Sequence, residues 1–276
     1  MEFEIRPIKE DELPLMRDFA PADWNTNLEK VYGRFYGQPW FHPLVVLDAT
    51  EIIGTGVAMI YPNAAWLGTI IVKDEYRSRG IGRFITTELI KTVKTKGIDA
   101  IILAASSMGL PIYQKLGFTH DLNYLFFKKD GPFHPDFEKE NISPITPQDH
   151  AAILSIDRRV SGEDRKGLLL HMMDTGFKFT QQGKHGKQGA IDGYFLPDFG
   201  KGLIIATTDR VGLELLKFKI SGDQSPVVIP ETNKAVLEFL VNNGYTHYQT
   251  SPRMFLENNV TWDSQRIYAR GSGYLG

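Results

Sequence analysis

Residues 77–83 combine arginine and glycine at a spacing that could bind an anion. The segment reads R-S-R-G-I-G-R. Gly80 and Gly82 carry no Cβ atom, so a phosphate could approach the main chain closely and the loop could adopt positive φ angles. The three arginines add positive charge at the same point. This composition favours the binding of a phosphate or a diphosphate.

The elements expected on either side of this loop would direct amide groups at such an anion. Residues 66–72 (WLGTIIV) are mostly apolar or β-branched and predict a buried strand. Apolar residues recur from Phe84 to Val93 with helical spacing. The first turn of a helix has N–H groups without an intrahelical partner, and the helix dipole adds partial positive charge there. A tight strand-to-helix turn, in which the glycines serve the turn alone, is the structural alternative, because short glycine patterns are common.

A second motif follows at residues 103–118, which read LAASSMGLPIYQKLGF. The pattern predicts a strand end, a turn, a short helix and the start of another strand. Pro111 suits the first turn of that helix, and Gly117 suits its C-terminal stop. The first loop has neither the G-x-G-x-x-G spacing nor the Lys-Ser/Thr of other nucleotide loops.

With these two motifs the chain resembles the GNAT superfamily of acyl-CoA N-acyltransferases. Residues 77–82 (R-x-x-G-x-G) are similar to the superfamily's pyrophosphate loop, and residues 113–118 (Y-x-x-L-G-F) to its signature after the fifth strand. The resemblance implies acetyl-CoA as co-substrate. The cofactor contacts that it implies are Ile70, Ile71, Val72, Arg77, Ser78, Arg79, Gly80, Ile81, Gly82, Arg83, Ser106 and Lys115.

Acetyl transfer from a thioester requires a neutral amine beside the thioester, stabilisation of an oxyanion, and a proton for the departing thiolate. The resemblance implies that the strand end at residues 70–72 pairs with pantetheine like an added edge strand, and that a free N–H there polarises the thioester carbonyl. Tyr113 matches the position that protonates the sulfur, and a phenol of pKa near ~10 suits that role. Packing of the Tyr113 ring on CoA or on the core is the alternative.

The general base is not identified by the sequence. Many superfamily members carry a glutamate on the central strand, where this chain has Trp66, Gly68 and Thr69. Asp74 and Glu75 belong to the turn, and we expect them to face solvent. A water relay to a distant carboxylate is therefore the preferred explanation.

The expected activity is transfer of the acetyl group to a primary amine of a small molecule, an amino acid or a peptide, by direct attack in a ternary complex. A non-catalytic acyl-CoA-binding regulatory module is one alternative. A transferase for a longer acyl group is another, because the width of the acyl pocket cannot be read from the sequence.

Composition narrows the classes of protein that remain. The chain has 276 residues, a net charge of −2 and no cysteine. The charge gives no support to nucleic-acid binding, and the absence of cysteine excludes disulfides, a thiolate nucleophile and cysteine-ligated zinc. No apolar run approaches the ~18 residues of a membrane span, and no signal-peptide pattern is present. We therefore expect a cytoplasmic monomer or homodimer without a metal and without a membrane partner.

The chain reads as a duplicated fold. Residues 142–149 echo residues 5–11, and residues 227–245 repeat the strand, helix and Gly-aromatic order of residues 101–118. We expect a catalytic domain at 1–130, closed by a last strand at 123–128, a linker at 131–141, and a degenerate domain at 142–276 on the acceptor or partner side. The class is α/β, with two tandem GNAT-like domains, each a mixed, mostly antiparallel twisted sheet flanked by helices.

The second copy departs from the first at the anion loop. Its central strand at residues 202–206 is followed by TTDRVG, which lacks the R-x-x-G-x-G pattern. A second CoA site is therefore not expected. Residues 183–189 (GKHGKQG) resemble a phosphate loop at first sight, but Gln188 stands where Ser or Thr is needed, so a hairpin tip is the preferred interpretation.

Four residues are candidates for contact with the acceptor amine. Trp24 and Asn25 lie in the region that lines the acceptor side in the superfamily, although a loop anchored by a partly buried Trp would explain them too. Asp157 and Arg165 resemble a segment typical of the second half of two-domain bacterial members. An N-cap region with a surface salt bridge is the alternative for this pair.

Overall fold

The computed structural model describes residues 3–21, 24, 26–131, 133–180, 189–271, 273 and 275. The chain divides into two compact units. Unit 1 comprises Met1–Thr119 with Met254–Asn259, and unit 2 comprises His120–Arg253 with Val260–Gly276. Among the described residues, no helix is both long and apolar enough to cross a bilayer.

Among its described residues, unit 1 contains the following complete strands and α-helices. They are β1 (Glu4–Pro7), α1 (Leu28–Phe35), β2 (Phe41–Asp48), β3 (Glu51–Ile60), β4 (Ala65–Val72), α2 (Ile81–Thr95), β5 (Ala100–Ala104) and α3 (Leu110–Lys115). The strands β1 to β4 pair antiparallel in sequence order, and β4 pairs parallel with β5.

Helix α2 packs closely on β3 because β3 carries glycine where the helix approaches. A Cβ atom on Gly56 would lie 2.5 Å from Cγ2 of Ile85 and 3.0 Å from Cδ1 of Leu89. The helix buries the apolar side chains that its spacing predicted, among them Ile85, Leu89 and Val93. This packing fixes the N-terminus of α2 relative to the end of β4.

Unit 2 contains most of the remaining elements. They are β6 (Thr119–Lys128), β7 (Ile142–Pro144), α4 (His150–Ser161), α5 (Lys166–Met172), β8 (Phe177–Thr180), β9 (Ile191–Leu196), β10 (Leu203–Ala206), α6 (Asp209–Gly222), β11 (Val227–Pro230), α7 (Lys234–Asn242) and β13 (Ile267–Ala269). One sheet has the order β13-β10-β9-β8-β7, and all of its recorded pairings are antiparallel. The α/β class with mostly antiparallel sheets flanked by helices is confirmed. The segment 183–189 lies outside the described residues except for its last position.

Two chain segments lie in units other than those that the sequence suggests. The strand expected to close the first domain is part of β6, which pairs antiparallel with β11 of unit 2. The last strand to be introduced, β12 (Thr246–Glu257), is divided, because its residues from Met254 onward belong to unit 1. Met254 is buried in the apolar core of unit 1, and the partly buried Leu256 packs against that core. The compact units thus differ from the expected limit at residue 130, because hydrogen bonding and apolar packing assign these strands, whereas order along the chain does not.

The segment expected as a linker at 131–141 is attached to unit 2. The main-chain N–H of Glu138 donates to a carboxylate oxygen of Glu214 at 2.6 Å, and Arg210 pairs with the Glu138 side chain at 2.6 Å. Phe137 contacts Phe218 edge to face, with ring centroids 5.5 Å apart. Charged and aromatic residues of the segment 131–141 therefore pack on unit 2, and the segment is more than a connection between domains.

Candidate active site

Strand β4 contains a β-bulge at its centre. Its register with β3 pairs Ile71 with Thr55 and Gly68 with Val57, so Thr69 and Ile70 together oppose the single residue Gly56. Thr69 has a φ angle of 53°. A bulge leaves part of the ladder unpaired and bends the strand locally.

The second half of β4 has a side that β5 does not cover in the described structure. The pairing of β4 with β5 runs from Ala65 to Leu67. Beyond it, Ile71 and Val72 pair with β3 on the other side only. Ile70, Ile71 and Val72, for which the family resemblance implies pairing with pantetheine, therefore lie at a strand edge that an extended chain could join.

The N-terminus of α2 is open. Gly80 is its N-cap, with φ 82° and ψ −1°, and no side chain caps the helix. The first amide paired back to the loop is that of Phe84, which donates to the Gly80 carbonyl at 3.0 Å. A Cβ atom on Gly80 would meet nothing within 4 Å, and Ser78 adds a second left-handed residue with φ 64°. The amides of the first turn, including those of Ile81 and Gly82, therefore face a space that an anion could occupy.

The three arginines of the loop are exposed but differ in their contacts. Arg77 pairs with Asp74 at 2.7 Å and donates to the Val72 carbonyl at 3.3 Å. Arg79 donates to the main-chain carbonyl of Glu75 at 3.0 Å, and its guanidinium lies 5.0 Å from the centroid of the Tyr76 ring. Arg83 makes no hydrogen bond or ion pair with the described residues. Two cations are thus held against the loop, and the third projects from the helix.

The corresponding helix terminus in unit 2 is closed. The Thr208 hydroxyl accepts a hydrogen bond from the amide of Val211 at 3.4 Å and caps α6. A Cβ atom on Gly212 would lie 2.4 Å from the ring of Tyr268, whose hydroxyl donates to Asp209 at 2.5 Å. A side-chain cap, an aromatic ring and a carboxylate therefore fill the position that glycine leaves open at α2. This arrangement supports the expectation of a single anion site.

Tyr113 is buried on α3 with 8% of its surface exposed. Its ring contacts Phe118 edge to face at 5.9 Å and covers Gly109, where a Cβ atom would lie 2.7 Å from Cε2. Burial raises the pKa of Tyr113 to about 12. The sequence-based value near 10 is therefore too low, and the phenol keeps its proton more firmly than expected. These contacts show that the ring is packed against its neighbours, and proton donation by Tyr113 stays a prediction.

Ser106 and Lys115 flank Tyr113 along the chain. The Ser106 hydroxyl accepts from the Gly109 amide at 3.1 Å and starts the turn that leads into α3. Lys115 is the exposed last residue of α3. Their contacts with a cofactor stay predictions.

Hydroxyl groups lie inside unit 1 near the bulge, where the sequence offered no glutamate. Thr55 donates to the Leu44 carbonyl at 2.8 Å, and the Tyr32 hydroxyl lies 2.9 Å from the Thr55 hydroxyl. Thr69 is 6% exposed, and its hydroxyl has no hydrogen-bond partner among the described residues. From the sequence alone, Thr69 has no role of its own and is only one of the residues at positions where many superfamily members carry a glutamate. A register shift carries no local signature, so its conformation could not be read from the chain.

The carboxylates near the loop face solvent, as expected. The Asp74 side chain is 82% exposed, and Glu75 is exposed too. In the part of the chain that the structure describes, no cluster of three or more histidine or acidic side chains could hold a metal.

The four acceptor candidates differ in their surroundings. Trp24 is 40% exposed, and Asn25 lies outside the described residues. Arg165 binds Asp157 at 2.7 Å with both side chains 1% exposed, and the Tyr194 hydroxyl donates to the same carboxylate. Burial and the Asp157 carboxylate act on Tyr194 to raise its pKa. The expected alternative of a surface salt bridge is wrong, because the pair is buried. Its contacts favour a structural role, and contact with an acceptor stays a prediction.

Comparison with known proteins gives one family for both halves of the chain. Residues 9–118 match the acetyltransferase (GNAT) family, and residues 153–269 match an acetyltransferase (GNAT) domain. The chain is 25% identical over 253 residues to the uncharacterized N-acetyltransferase YitH of Bacillus subtilis, covering 88% of this chain and 86% of that protein. It is 31% identical over 75 residues to the glucosamine 6-phosphate N-acetyltransferase of Trypanosoma brucei brucei, and the match covers 25% of this chain and 51% of that protein. A candidate acetyltransferase from Pyrococcus horikoshii shares the fold, with a TM-score of 0.82, 22% identity and coverage of 99% and 96%.

Proposed function

Because this chain belongs to the acetyltransferase (GNAT) family, we propose that it moves the acetyl group of acetyl-CoA to a primary amine by direct attack in a ternary complex. The family supports acyl transfer in general. The acyl donor, the amine and the order of events are the proposal. It is supported by the residues that surround the open end of β4 and α2.

The observation that carries the proposal is the uncapped N-terminus of α2. Gly80 leaves its surroundings free, whereas the equivalent end of α6 is capped by Thr208 and covered by Tyr268. A helix start with unpaired amides is favourable for a diphosphate. One chain therefore contains an open and a closed version of the same corner, and the family motif stands only at the open one.

In the proposed reaction, β4 supplies the hydrogen-bond donor for the oxyanion, and α3 supplies the proton donor for the thiolate. The amine attacks the thioester carbon, and the electron pair of the C=O bond moves onto oxygen, where an amide N–H of the bulge stabilises it. The pair then returns, the C–S bond breaks, and Tyr113 donates its proton to the departing thiolate. The nitrogen gives up its extra proton to water, and the Tyr113 phenolate regains a proton from water, so the protons balance. Holding both reactants together supplies the remainder of the acceleration.

A small molecule, an amino acid or a peptide N-terminus is the proposed acceptor. The Trypanosoma relative is named for an amino sugar phosphate, so glucosamine 6-phosphate is the first amine to test. The amine must be neutral to attack, and we expect the rate to rise with pH up to the pKa of the bound amine.

The test is thiol release from acetyl-CoA in the presence of a panel of amines, with binding measured in parallel. Turnover with at least one primary amine, and formation of its amide, supports the proposal. Binding of acetyl-CoA without turnover for any amine would favour the regulatory module instead. Absence of binding would contradict both.

A matched pair of variants tests the anion site itself. A Cβ atom at Gly82 would lie 3.4 Å from Ile112, so Gly82→Ala should fold and retain acetyl-CoA binding. Gly82→Asp adds an acid that suits the first turn of a helix, so we expect stability to be kept. The same charge repels a diphosphate, and we expect affinity for acetyl-CoA to fall at least tenfold. Equal affinity of the two variants for acetyl-CoA would show that the pyrophosphate does not bind at the N-terminus of α2.

A further inference from the structure

Thr69 holds a backbone conformation that a β-branched residue rarely adopts. Its φ angle of 53° lies in the left-handed region, where steric hindrance disfavours threonine. Three other non-glycine residues with positive φ are described, Ala49, Ser78 and Glu257, and none of them is β-branched. Gly68, which could adopt such an angle without strain, is the preceding residue. The bulge therefore places the unfavourable conformation on the residue that carries a hydroxyl.

The hydroxyl of Thr69 is buried without a partner, unlike those of the other buried threonines of unit 1. Thr55 and Thr86 are both fully buried, and their hydroxyls donate to main-chain carbonyls at 2.8 Å and 2.7 Å. Thr69 is 6% exposed, and its Oγ1 atom has no hydrogen-bond partner among the described residues. Buried polar groups without a partner are rare and costly, which points to a partner that arrives with a ligand.

Thr69 lies where the proposed acyl transfer needs hydrogen-bond donors. It is part of the bulge, next to Ile70, at the point where β4 is no longer paired with β5. An oxyanion is best stabilised by more than one fixed donor in a site from which water is excluded. A hydroxyl on a bulge, where the strand ladder is interrupted, meets this requirement.

We propose that the Thr69 hydroxyl donates a hydrogen bond to the carbonyl oxygen of the bound acyl thioester. This inference rests on the proposed function and assigns a side chain to it. When the amine forms its bond to carbon, the C=O electron pair moves onto the oxygen that Thr69 contacts. When the C–S bond breaks, the pair returns, and Thr69 keeps its proton throughout.

Two ligands that differ in the carbonyl oxygen test this contact without knowledge of the acceptor. Acetyl-CoA has the oxygen, and S-ethyl-CoA, a thioether, lacks it. We expect Thr69→Val to weaken acetyl-CoA binding about fivefold, the factor for one neutral hydrogen bond of about 1 kcal/mol. Binding of S-ethyl-CoA should not change. Thr69→Ser, which keeps the hydroxyl, should preserve the preference for acetyl-CoA over S-ethyl-CoA that the valine variant loses.

Thermal unfolding distinguishes a contact with ligand from a contact within the protein. Valine has the shape of threonine without the unpartnered hydroxyl, so the midpoint of Thr69→Val should equal or exceed that of the wild type. Thr92→Val is the control, because Thr92 on α2 donates to the Glu88 carbonyl at 2.9 Å. The control should leave the preference between the two ligands unchanged.

Kinetics with an accepted amine complete the test. Loss of one donor to an oxyanion typically lowers kcat about 100-fold, and we expect that fall for Thr69→Val with the KM of the amine unchanged. Equal weakening of both ligands, a raised KM for the amine alone, or a lower unfolding midpoint would each overturn the assignment. If the wild type binds neither ligand, the proposed function itself has failed. If it binds both and Thr69→Val binds them as the wild type does, only the inference has failed.

Discussion

The phenol of Tyr113 lies in the apolar core of unit 1, with Phe118 beside its ring. Burial raises its pKa to about 12, which favours the neutral, protonated form. A phenol of ordinary pKa, near ~10, already carries its proton at neutral pH, and the raised pKa makes Tyr113 a weaker acid than such a phenol. Donation to the thiolate therefore depends on the sulfur lying within hydrogen-bond reach of the hydroxyl, which stays a prediction.

We predict that Tyr113→Phe lowers kcat about 100-fold while the protein stays folded, because the ring contacts are kept and the proton donor is lost. Thiol release from acetyl-CoA at saturating amine measures the effect. The KM for acetyl-CoA should change little. A rate equal to that of the wild type would assign Tyr113 to packing alone.

The same shift sets a pH dependence of stability. The pKa of Tyr113 rises on folding from near ~10 to about 12. Its contribution is therefore fully present below pH ~10 and is lost as the pH rises through the folded value. Denaturant unfolding of the wild type and of Tyr113→Phe between pH 9 and pH 12 should show a steeper fall for the wild type, and parallel curves would contradict the shift.

The buried pair of Asp157 and Arg165 gives a second prediction for single side chains. Asp157→Asn leaves the Arg165 charge buried without its counter-ion, and we expect the free energy of unfolding to fall by about 3–5 kcal/mol. Asp164→Asn is the control, since its partner Arg158 is 66% exposed and such pairs contribute little. A raised KM for the amine with unchanged stability would instead return Asp157 to the acceptor site.

At the scale of elements, β4 and α2 are positioned by the glycines of β3. A Cβ atom added to Gly54 would lie 3.0 Å from the Ile85 side chain, and one added to Gly56 would lie 2.5 Å from it. The N-terminus of α2 meets the end of β4 because the helix can approach the sheet at these two points. The proposed anion site therefore depends on glycines that lie outside its loop.

We predict that Gly56→Ala destabilises the protein by about 1–3 kcal/mol, because the new methyl group overpacks the contact with Ile85. Gly33→Ala in α1 is the control, because a Cβ atom there meets nothing within 4 Å, and we expect it to stabilise by roughly 0.5–1 kcal/mol. Denaturant unfolding of both variants measures the difference. Equal effects would mean that α2 can move away from β3 without cost.

Local patterns predicted the elements around the site well. The apolar and β-branched residues of β4 and the apolar spacing of α2 act within a few residues, and so does the stop at Gly117, which has a φ angle of 91°. The bulge at Thr69 was not predictable, because it is a one-residue difference in register between two strands. The burial of Asp157 and Arg165 was missed because Tyr194, which completes their group, is distant in sequence.

For the whole molecule, the division into units does not follow the order of the chain. Residues 254–259 belong to unit 1, whereas residues 120–130 belong to unit 2. The sequence repeats suggested a limit near residue 130, because similarity is read along the chain and strand pairing is not. Each unit is therefore completed by a segment from the other part of the sequence.

We predict that the fragment 1–130 is less stable than unit 1 in the full chain. It lacks Met254, which is 1% exposed and whose burial contributes about 1.5–3 kcal/mol, and it lacks the partly buried Leu256, which contributes less. Circular dichroism, ANS fluorescence and acetyl-CoA binding measure the loss, and addition of the fragment 131–276 should reverse it. A fragment that unfolds cooperatively and binds acetyl-CoA like the full chain would contradict this dependence.

The position of Met254 and Leu256 in the sequence also delays the completion of unit 1 during synthesis. A ribosome that adds roughly 5–20 residues per second delivers them on the order of ten seconds after the rest of unit 1. During that interval the nascent unit 1 has an unfilled core and exposes apolar surface to chaperones and proteases. The chain cannot complete unit 1, which carries the proposed anion site, until Met254 and Leu256 have been synthesised.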